Sequence, residues 1–274
     1  MVEYTFSRFA YFDTGILSFL ARNNQLWPKL REFLFGNDLT LGICGAQLSE
    51  LSDATRLHQA LVELFMSVPS ALLKDWEVIR DEEVEAHPNH RKATLLKYPL
   101  NSLLLKPNGT EELLTFLGSS DLRDARNDQK RHAKQLEGRL NTLKSNFPPS
   151  KSGKYVQEQV DEFANGIVIQ VLRDTQYEFL NKYRNNAKDL HLDVFLSVRL
   201  FAQVVYYKYY LGERDPDRPS DFGDLAHLAL IPYCELAVME RDLSNVLCQI
   251  KNHGSSLSST VIRNIDFFED WIWK

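Results

Sequence analysis

Short apolar runs alternate with segments of helical periodicity in the first third of the chain. Residues 8–12 and 39–45 are mostly apolar runs of strand length, as expected for strands buried on both faces of a sheet. Elsewhere in this region leucine and phenylalanine recur at spacings of three and four residues, which predicts helices. The predicted helices are 14–23, 26–35 and 46–65. A third candidate strand is 76–80, and strands that alternate with helices favour a parallel sheet.

The middle of the chain has a different character. Residues 119–146 are strongly polar, with charges of both signs at helical spacing. Residues 155–186 and 188–212 predict two more long helices. The alternation returns near the C-terminus, in the strand 235–240, the helix 242–253 and the strand 259–268.

This order predicts one α/β domain that is built from both ends of the chain and interrupted by a large helical insertion. The predicted boundaries are 1–90 for the first part of the core, 91–214 for the insertion and 215–274 for the second part. Both parts of the core would contribute strands to a single parallel sheet, whose carboxyl edge is the usual place for a ligand site.

The composition is that of an ordinary globular protein. Of the 274 residues, 44% are hydrophobic and 25% are charged, and the formal net charge is -5. This balance argues against a protein that coats nucleic acid, although it leaves room for a local basic surface. Cys44, Cys234 and Cys248 form no CxxC pair, so we expect reduced core thiols in a cytoplasmic protein, not a disulfide or zinc framework.

The longest apolar run, 194–212, raises the question of a membrane span. It carries Arg199, Gln203 and Lys208, so we expect a buried or amphipathic helix and no membrane association. The same run contains four tyrosines, Tyr206, Tyr207, Tyr209 and Tyr210. Aromatic residues at helical spacing usually pack in a core or at an oligomer contact, although they are also able to stack on bases.

Asp13 follows the first apolar run directly, in the sequence FAYFDTGIL. An Asp-Thr-Gly sequence after apolar residues is the signature of aspartic proteases, but those enzymes need two such aspartates sharing a proton in an all-β fold. This chain has one Asp-Thr-Gly, and a helical pattern follows it. A protease would therefore have to be a homodimer, distantly related to the retroviral type. A second interpretation is a metal ligand at a strand end, and a third is a simple helix cap.

Three further acidic residues stand near the predicted ends of strands or starts of helices: Glu50, Asp224 and Glu240. Clustered carboxylates are the hard oxygen ligands that suit Mg²⁺ or Mn²⁺. Together with Asp13 they predict a site for metal-dependent phosphodiester hydrolysis. Each also has an ordinary alternative as a solvated helix residue, a helix cap or a surface charge. His227, one turn after Asp224, is more typical of a structural hydrogen bond than of a ligand.

Four motifs together resemble the PIN-domain nucleases. They are AYFDTGIL around Asp13, LSELS around Glu50, GDLAHLALIPYCE around Asp224, and AVMERD around Glu240. The resemblance covers residues 5–85 and 218–265. It implies a PIN-like three-layer α/β sandwich and Mg²⁺- or Mn²⁺-dependent cleavage of RNA, less often DNA, by metal-bound water. It also implies that the catalytic residues and metal ligands are Asp13, Glu50, Asp224 and Glu240.

The chain departs from the family pattern at several positions. Gly15 and Met239 replace an asparagine and a threonine, and Glu235 and Glu240 stand where aspartate is usual. Asp242 is close enough in sequence to compete with Glu240, so Glu235 and Asp242 are secondary candidates for metal ligands. A glutamate keeps the ligand type and reaches one methylene further. These departures leave open a second function, a catalytically weak PIN-like scaffold that binds RNA or a protein partner.

The polar segment 119–146 is a candidate nucleic-acid surface. The basic residues that would contact phosphates are Arg123, Arg126, Lys130, Arg131, Lys134 and Arg139. The alternative is a solvated helix whose positive charge is balanced by Asp121, Asp124, Asp128 and Glu137.

Overall fold

The computed structural model describes residues 8–90, 95–146, 148–149, 157–212, 225–253 and 255–269. It is an α/β structure with a six-stranded sheet, which confirms the predicted fold class at that level. The strands are β1 Phe9–Phe12, β2 Thr40–Ile43, β3 Ser70–Leu73, β4 Leu96–Pro99, β5 Leu236–Met239 and β6 Val261–Asn264. The α-helices bounded within the described ranges are α1 Thr14–Arg22, α2 Trp27–Gly36, α3 Gly45–Leu51, α4 His58–Ser67, α5 Trp76–Ala86, α6 Leu100–Leu104, α7 Gly109–Leu117, α8 Ser120–Asn146, α9 Gln157–Thr175, α10 Tyr177–Lys182, α11 Leu196–Val205 and α12 Arg241–His253.

The sheet draws strands from both ends of the chain, with β1 near its centre. The strand order is β4-β3-β2-β1-β5-β6, and neighbouring strands are parallel except for β3 with β4. Tyr11 of β1 is paired with Gly42 on one side and with Ala237 on the other. The parallel strands thus come from the two regions in which the sequence alternates between strand and helix.

The third strand lies earlier in the chain than the sequence pattern predicts. The predicted strand 76–80 is wrong, because these residues begin α5, and β3 is formed by Ser70–Leu73. Ile79 and Glu83, one helical turn apart, are both buried, so the burial of a helix face outweighs the strand propensity of isolated branched residues. The sequence pattern does not predict β4, because its middle residues, Lys97 and Tyr98, are exposed and the four residues form no apolar run.

Apolar clusters cover both faces of the sheet. Ala10 and Phe12 belong to one buried cluster, and Phe9 and Tyr11 belong to the other, because successive strand residues point to opposite faces. The first cluster includes residues of α1, α2 and α4, and the second includes residues of α11 and α12. This double burial explains why the parallel strands read as continuous apolar runs.

Parts of α9 and α11 also pack in a third, smaller apolar cluster. Val168 and Leu172 of α9 pack with Val198 of α11 in a separate apolar cluster. The sequence predicts two long helices at 155–186 and 188–212, but the described chain divides them into α9, α10 and α11. Short turns separate α10 from α11, so the two predicted helices are shorter than their apolar spacing suggests.

The tyrosine run continues α11 as a π-helical segment, Tyr206–Tyr210. Tyr206, Tyr207 and Tyr209 are buried there, as the core-packing interpretation expects. In the parts of the chain that the structure describes, no helix is both long and apolar enough to cross a membrane.

The three cysteines carry free thiols. Cys44 and Cys234 are buried, as the sequence predicts, and burial raises the pKa of the Cys44 thiol to about 12. Cys248 is exposed on α12, so it is not the core thiol that its apolar neighbours suggest.

A buried carboxylate links α5 to α11 and to the segment before β5. Glu83 of α5 accepts hydrogen bonds from the backbone N–H and the hydroxyl of Ser197, at 2.8 and 2.6 Å. The hydroxyl of Tyr233, in the turn before β5, also donates to Glu83. One side chain therefore joins α5, the start of α11 and the segment that leads into β5.

We expect Glu83→Gln to destabilise the protein by about 2 kcal/mol, because an amide presents hydrogen to donors that need an acceptor, and hydrogen bonds to a charged group are stronger than neutral ones. Urea unfolding measures the change. The matched control is Glu85→Gln on the exposed side of α5, which should change the free energy of unfolding by less than about 0.5 kcal/mol. Equal stability of the two variants would contradict the linking role of Glu83.

Candidate active site

The candidate site lies at the carboxyl edge of the sheet, where the chain connections diverge. β2 lies on one side of β1 and β5 lies on the other, so the loops that follow β1 and β5 leave a crevice between them. Asp13 follows the last residue of β1, and Glu240 follows the last residue of β5. Glu50 reaches the same edge from α3, which follows β2.

Asp13 is buried and held in place by the strand ends around it. Its residue is 4% exposed, and its backbone N–H donates to Val238 O at 2.9 Å. One carboxylate oxygen accepts from the Thr14 N–H at 2.7 Å, and the other lies 3.4 Å from the N–H of Glu240. Asp13 therefore caps α1, as one interpretation of the sequence expects, and at the same time adjoins Glu240.

Glu50 is joined to Asp13 through a single residue. The Thr14 hydroxyl donates to Glu50 Oε2 at 2.6 Å, while the Thr14 backbone N–H binds Asp13. The Glu50 side chain is only 6% exposed, so it is not the solvated helix residue of the ordinary alternative. Gln47, one turn earlier in α3, donates to Phe12 O at 2.6 Å and fixes α3 to the end of β1.

A basic residue of α8 also reaches Glu50. Arg126 Nη1 lies 3.2 Å from Glu50 Oε1 and 2.9 Å from Gln129 Oε1, and Arg126 Nε lies 3.4 Å from Asp53 Oδ2. The Arg126 side chain is 12% exposed. Gln129 in turn donates to Ser49 Oγ at 2.8 Å. The helix that the sequence predicts as a phosphate surface thus turns one of its cations inward.

The other five basic candidates on α8 have a different environment from Arg126. They are exposed: Arg123, Lys130, Arg131, Lys134 and Arg139. Arg131 pairs with Asp128 at 3.0 Å, as expected where charges of both signs share a helix face. The inward position of Arg126 follows from the buried stripe of α8, in which Leu122, Gln129 and Ala133 recur at helical spacing around it.

Tyr11 and His227 form a buried pair behind Glu50. The Tyr11 hydroxyl lies 2.5 Å from His227 Nδ1, and the two rings stack with centroids 5.7 Å apart. Burial lowers the pKa of His227 to about 3 and raises the pKa of Tyr11 above its ordinary value. If the neutral imidazole accepts from Tyr11 at Nδ1, its proton is on Nε2, which lies 3.8 Å from Glu50 Oε2.

Glu240 lies over the second residue of α1. A Cβ atom placed on Gly15 would collide with Glu240 Oε1 and lie 3.2 Å from its carboxyl carbon. Gly15 and Glu240 are two of the positions at which the chain departs from the PIN pattern, and here the longer acidic side chain occupies the space that the missing side chain would need. The two departures are therefore sterically coupled.

The secondary acidic candidates lie farther from Asp13. Glu235 precedes β5, at the edge of the sheet opposite Asp13, and its carboxylate is 3.8 Å from Arg8. A four-residue strand spans roughly 13 Å, so Glu235 does not share the crevice with Asp13. Asp242 is exposed in the first turn of α12. Of the two residues that compete in sequence, Glu240 is the one whose backbone and side chain approach α1.

The complete ligand set of the sequence prediction includes Asp224, which lies outside the described residues. Among the residues that are described, no three His, Cys, Asp or Glu side chains lie close enough together to hold a metal ion. The described part of the site is therefore a pair of linked carboxylates with a third one beside them, and Arg126 balances part of their charge.

A cavity of about 720 Å³ adjoins this cluster between α3, α5, α8, α9 and α11. Ser49 and Gln129, which neighbour Glu50 and Arg126, form part of its wall. Trp76 and Phe201 line another part and stack with centroids 5.6 Å apart. The cavity has the size of a small-molecule pocket, and Ser49 and Gln129 are the residues that connect its wall to the carboxylate cluster.

Comparison of the chain with protein-family models, with curated proteins and with solved structures finds no match. The sequence pattern locates Asp13, Glu50 and Glu240 but not Tyr11, Gln129 or the inward turn of Arg126. A tyrosine within a buried strand next to Asp13 and a glutamine within the buried stripe of α8 are the signals that would have indicated them.

Protonation of His227 should make the metal-free protein sensitive to acid. The folded-state pKa is about 3 and the unfolded value is about 6.5, so the unfolded chain binds the extra proton first and stability falls as the pH drops from about 6.5 towards 3. For a difference of one bound proton, the free energy of unfolding changes by about 1.4 kcal/mol per pH unit. We expect His227→Gln to flatten this slope in urea unfolding with EDTA, and exposed His132→Gln to leave it in place. A variant with the wild-type slope would show that His227 is not the group responsible.

Proposed function

We propose that the protein is a metal-dependent endoribonuclease, with Asp13, Glu50, Asp224 and Glu240 as its catalytic carboxylates. The observation that carries this proposal is the placement of Asp13, Glu50 and Glu240 at the carboxyl edge of the sheet, where the strand order reverses. Open α/β sheets bind their ligands at this point. Thr14 links Asp13 to Glu50, and the backbone N–H of Glu240 lies 3.4 Å from Asp13 Oδ2. The resemblance of four motifs to the PIN-domain nucleases supports the same assignment.

The residues at this edge fit Mg²⁺ or Mn²⁺ by ligand type. They offer carboxylate oxygens, which both ions prefer, and Asp13 and Glu50 are linked by Thr14. Two buried carboxylates that share Thr14 as a hydrogen-bond donor would also be stabilised by a cation. The chemistry supplied by such an ion, when bound, is activation of a water molecule and neutralisation of charge on the scissile phosphate. Asp13 and Glu50 would hold it, with Glu240 beside them, and the resemblance implies Asp224 as a further ligand.

The surrounding side chains would orient these carboxylates. Thr14 fixes one oxygen of each of its two acidic neighbours, and Gln47 fixes the end of β1 from which Asp13 projects. His227 approaches the oxygen of Glu50 that Thr14 also binds. Such partners of metal ligands commonly set ligand orientation and affinity.

RNA is the proposed substrate because exposed cations continue from the site along α8. Arg123, Lys130 and Lys134 are exposed on the helix that carries Arg126. They offer phosphate contacts that position a strand. The interleaved acidic residues support the alternative of a solvated helix, which would leave substrate binding to the crevice and its neighbouring cavity.

A catalytically weak scaffold is the second candidate function. It is favoured by the ion pair between Arg126 and Glu50, which engages one of the proposed ligands with a cation of the chain itself. A scaffold would bind RNA or a protein partner without binding Mn²⁺ at Asp13, so metal binding distinguishes the two candidates.

Asp13→Asn should reduce Mn²⁺-dependent cleavage of single-stranded RNA at least about a hundredfold. Removal of a metal ligand should reduce activity more than removal of a residue that only hydrogen-bonds to a ligand. The fold should remain, since asparagine also caps helices well. Cleavage of labelled RNA and DNA with Mn²⁺, Mg²⁺ or EDTA measures the effect, and calorimetry measures Mn²⁺ binding. The control is Asp38→Asn, at a left-handed backbone position that asparagine tolerates. Wild-type protein that neither binds Mn²⁺ nor cleaves RNA would refute the nuclease proposal.

Gly15→Ala should separate stability from metal affinity. Alanine in a helix is more favourable than glycine by about 0.5–1 kcal/mol, but its Cβ would displace the Glu240 carboxylate. We expect an unchanged or raised melting temperature and roughly tenfold weaker Mn²⁺ binding. The control Gly36→Ala, in open space at the end of α2, should leave Mn²⁺ binding unchanged. The loss should shrink in a Glu240→Asp background, because the shorter side chain clears the Cβ; an undiminished loss would exclude the steric coupling.

A further inference from the structure

The Glu50 carboxylate already has a cationic partner within the chain. Arg126 Nη1 is 3.2 Å from Glu50 Oε1, and both side chains are nearly buried. The other oxygen, Oε2, accepts from the Thr14 hydroxyl. Arg126 and Thr14 thus contact one oxygen each, so a divalent ion at Glu50 would share the carboxylate with the cation of Arg126.

The position of Arg126 is built into the packing of α8 against α3. Gln129 accepts from Arg126 Nη1 at 2.9 Å and donates to Ser49 Oγ at 2.8 Å, so it links the arginine to the residue before Glu50. Asp53, just beyond α3, lies 3.4 Å from Arg126 Nε. Two acidic side chains and one amide therefore share the guanidinium group.

We propose that Arg126 is the internal counter-ion of the carboxylate site, and that a divalent cation binds at Glu50 in competition with it. The proposal rests on the proposed function, because it assigns Glu50 to the metal. It adds a level of control that the motifs do not indicate: the position of α8 sets how tightly the site holds its ion.

The competition follows from electrostatics in a nearly dry crevice. A guanidinium group within about 4 Å of a carboxylate neutralises much of its attraction for another cation and repels that cation directly. On leaving Glu50, Arg126 would keep its contact with Asp53, whose side chain is 61% exposed. The arginine would therefore not become a buried charge without a partner. The exchange of partners therefore requires movement of the Arg126 side chain, which α8 places between Glu50 and Asp53.

The test compares Mn²⁺ binding by wild type and Arg126→Gln in the full chain. Glutamine removes the charge and keeps a hydrogen-bonding stem. Calorimetry should show at least tenfold tighter Mn²⁺ binding by the variant, which corresponds to about 1.4 kcal/mol. Thermal unfolding gives a second readout. In EDTA the variant should melt below wild type, because Glu50 loses its counter-ion, and Mn²⁺ should raise its melting temperature more than that of wild type.

Three matched variants isolate the charge at this position. Arg123→Gln removes the same charge from an exposed position one turn earlier and should change Mn²⁺ affinity by less than about threefold, since exposed charges are screened. Arg126→Lys keeps the charge and should bind Mn²⁺ more weakly than Arg126→Gln. In a Glu50→Gln background, Arg126→Gln should no longer tighten Mn²⁺ binding, because the competition requires the carboxylate.

The outcomes separate this proposal from the proposed function. Measurable Mn²⁺ binding that Arg126→Gln leaves equal or weakens would overturn the counter-ion role while leaving the metal site in place. Absence of Mn²⁺ binding in both wild type and variant would overturn the metal site and the counter-ion role together. If Arg126→Gln fails to fold, the comparison of wild type with Arg126→Lys decides, since the weaker hold of lysine on Glu50 should give tighter Mn²⁺ binding than wild type.

Discussion

Asp13 and Glu50 place two carboxylates in a crevice with little access to water, where an ionised group costs several kcal/mol unless hydrogen bonds or cations compensate. Thr14 supplies hydrogen bonds to both residues, and Arg126 supplies a positive charge to Glu50. The position of α8 is tied to this requirement, because withdrawing Arg126 leaves a buried carboxylate without its counter-ion. The local structure thus depends on how this charge is balanced.

The same need for a compensating cation makes the site suitable for binding a metal ion. A pair of carboxylates that already needs a cation is close to the arrangement that binds a divalent ion, and it lies where open sheets place their ligands. Gly15 and Glu240 depend on each other sterically, since the absence of a side chain at Gly15 leaves room for the longer side chain of Glu240. The long helix α8 contributes directly to the electrostatics of the site, because it carries Arg126.

The pattern of apolar and polar residues predicts the elements that depend on local sequence. β1, β2 and β5 are continuous apolar runs, and Asp13, Glu50 and Glu240 follow them in order. The segment 76–80 misled because a few branched residues resemble a strand, whereas burial at helical spacing decides its conformation. Asp224 belongs to the predicted set and lies outside the described residues.

The contacts of Arg126 with Glu50 and of Tyr11 with His227 could not be read from local pattern, because each joins distant parts of the chain. A basic residue in a polar segment has the same appearance in sequence whether it faces solvent or a buried carboxylate. Only the packing of α8 on α3 distinguishes the two environments, and that packing is a tertiary property.

The central claim is that a divalent ion binds at Asp13 and Glu50. Crystals grown with MnCl₂, with anomalous diffraction recorded at the manganese absorption edge, test it most directly. We expect one anomalous peak at the carboxyl edge of the sheet, roughly 2–2.5 Å from carboxylate oxygens of Asp13 and Glu50. We also expect the Arg126 guanidinium to have moved from Glu50 towards Asp53. A crystal that shows Arg126 still paired with Glu50 and no manganese at Asp13 would contradict the metal site.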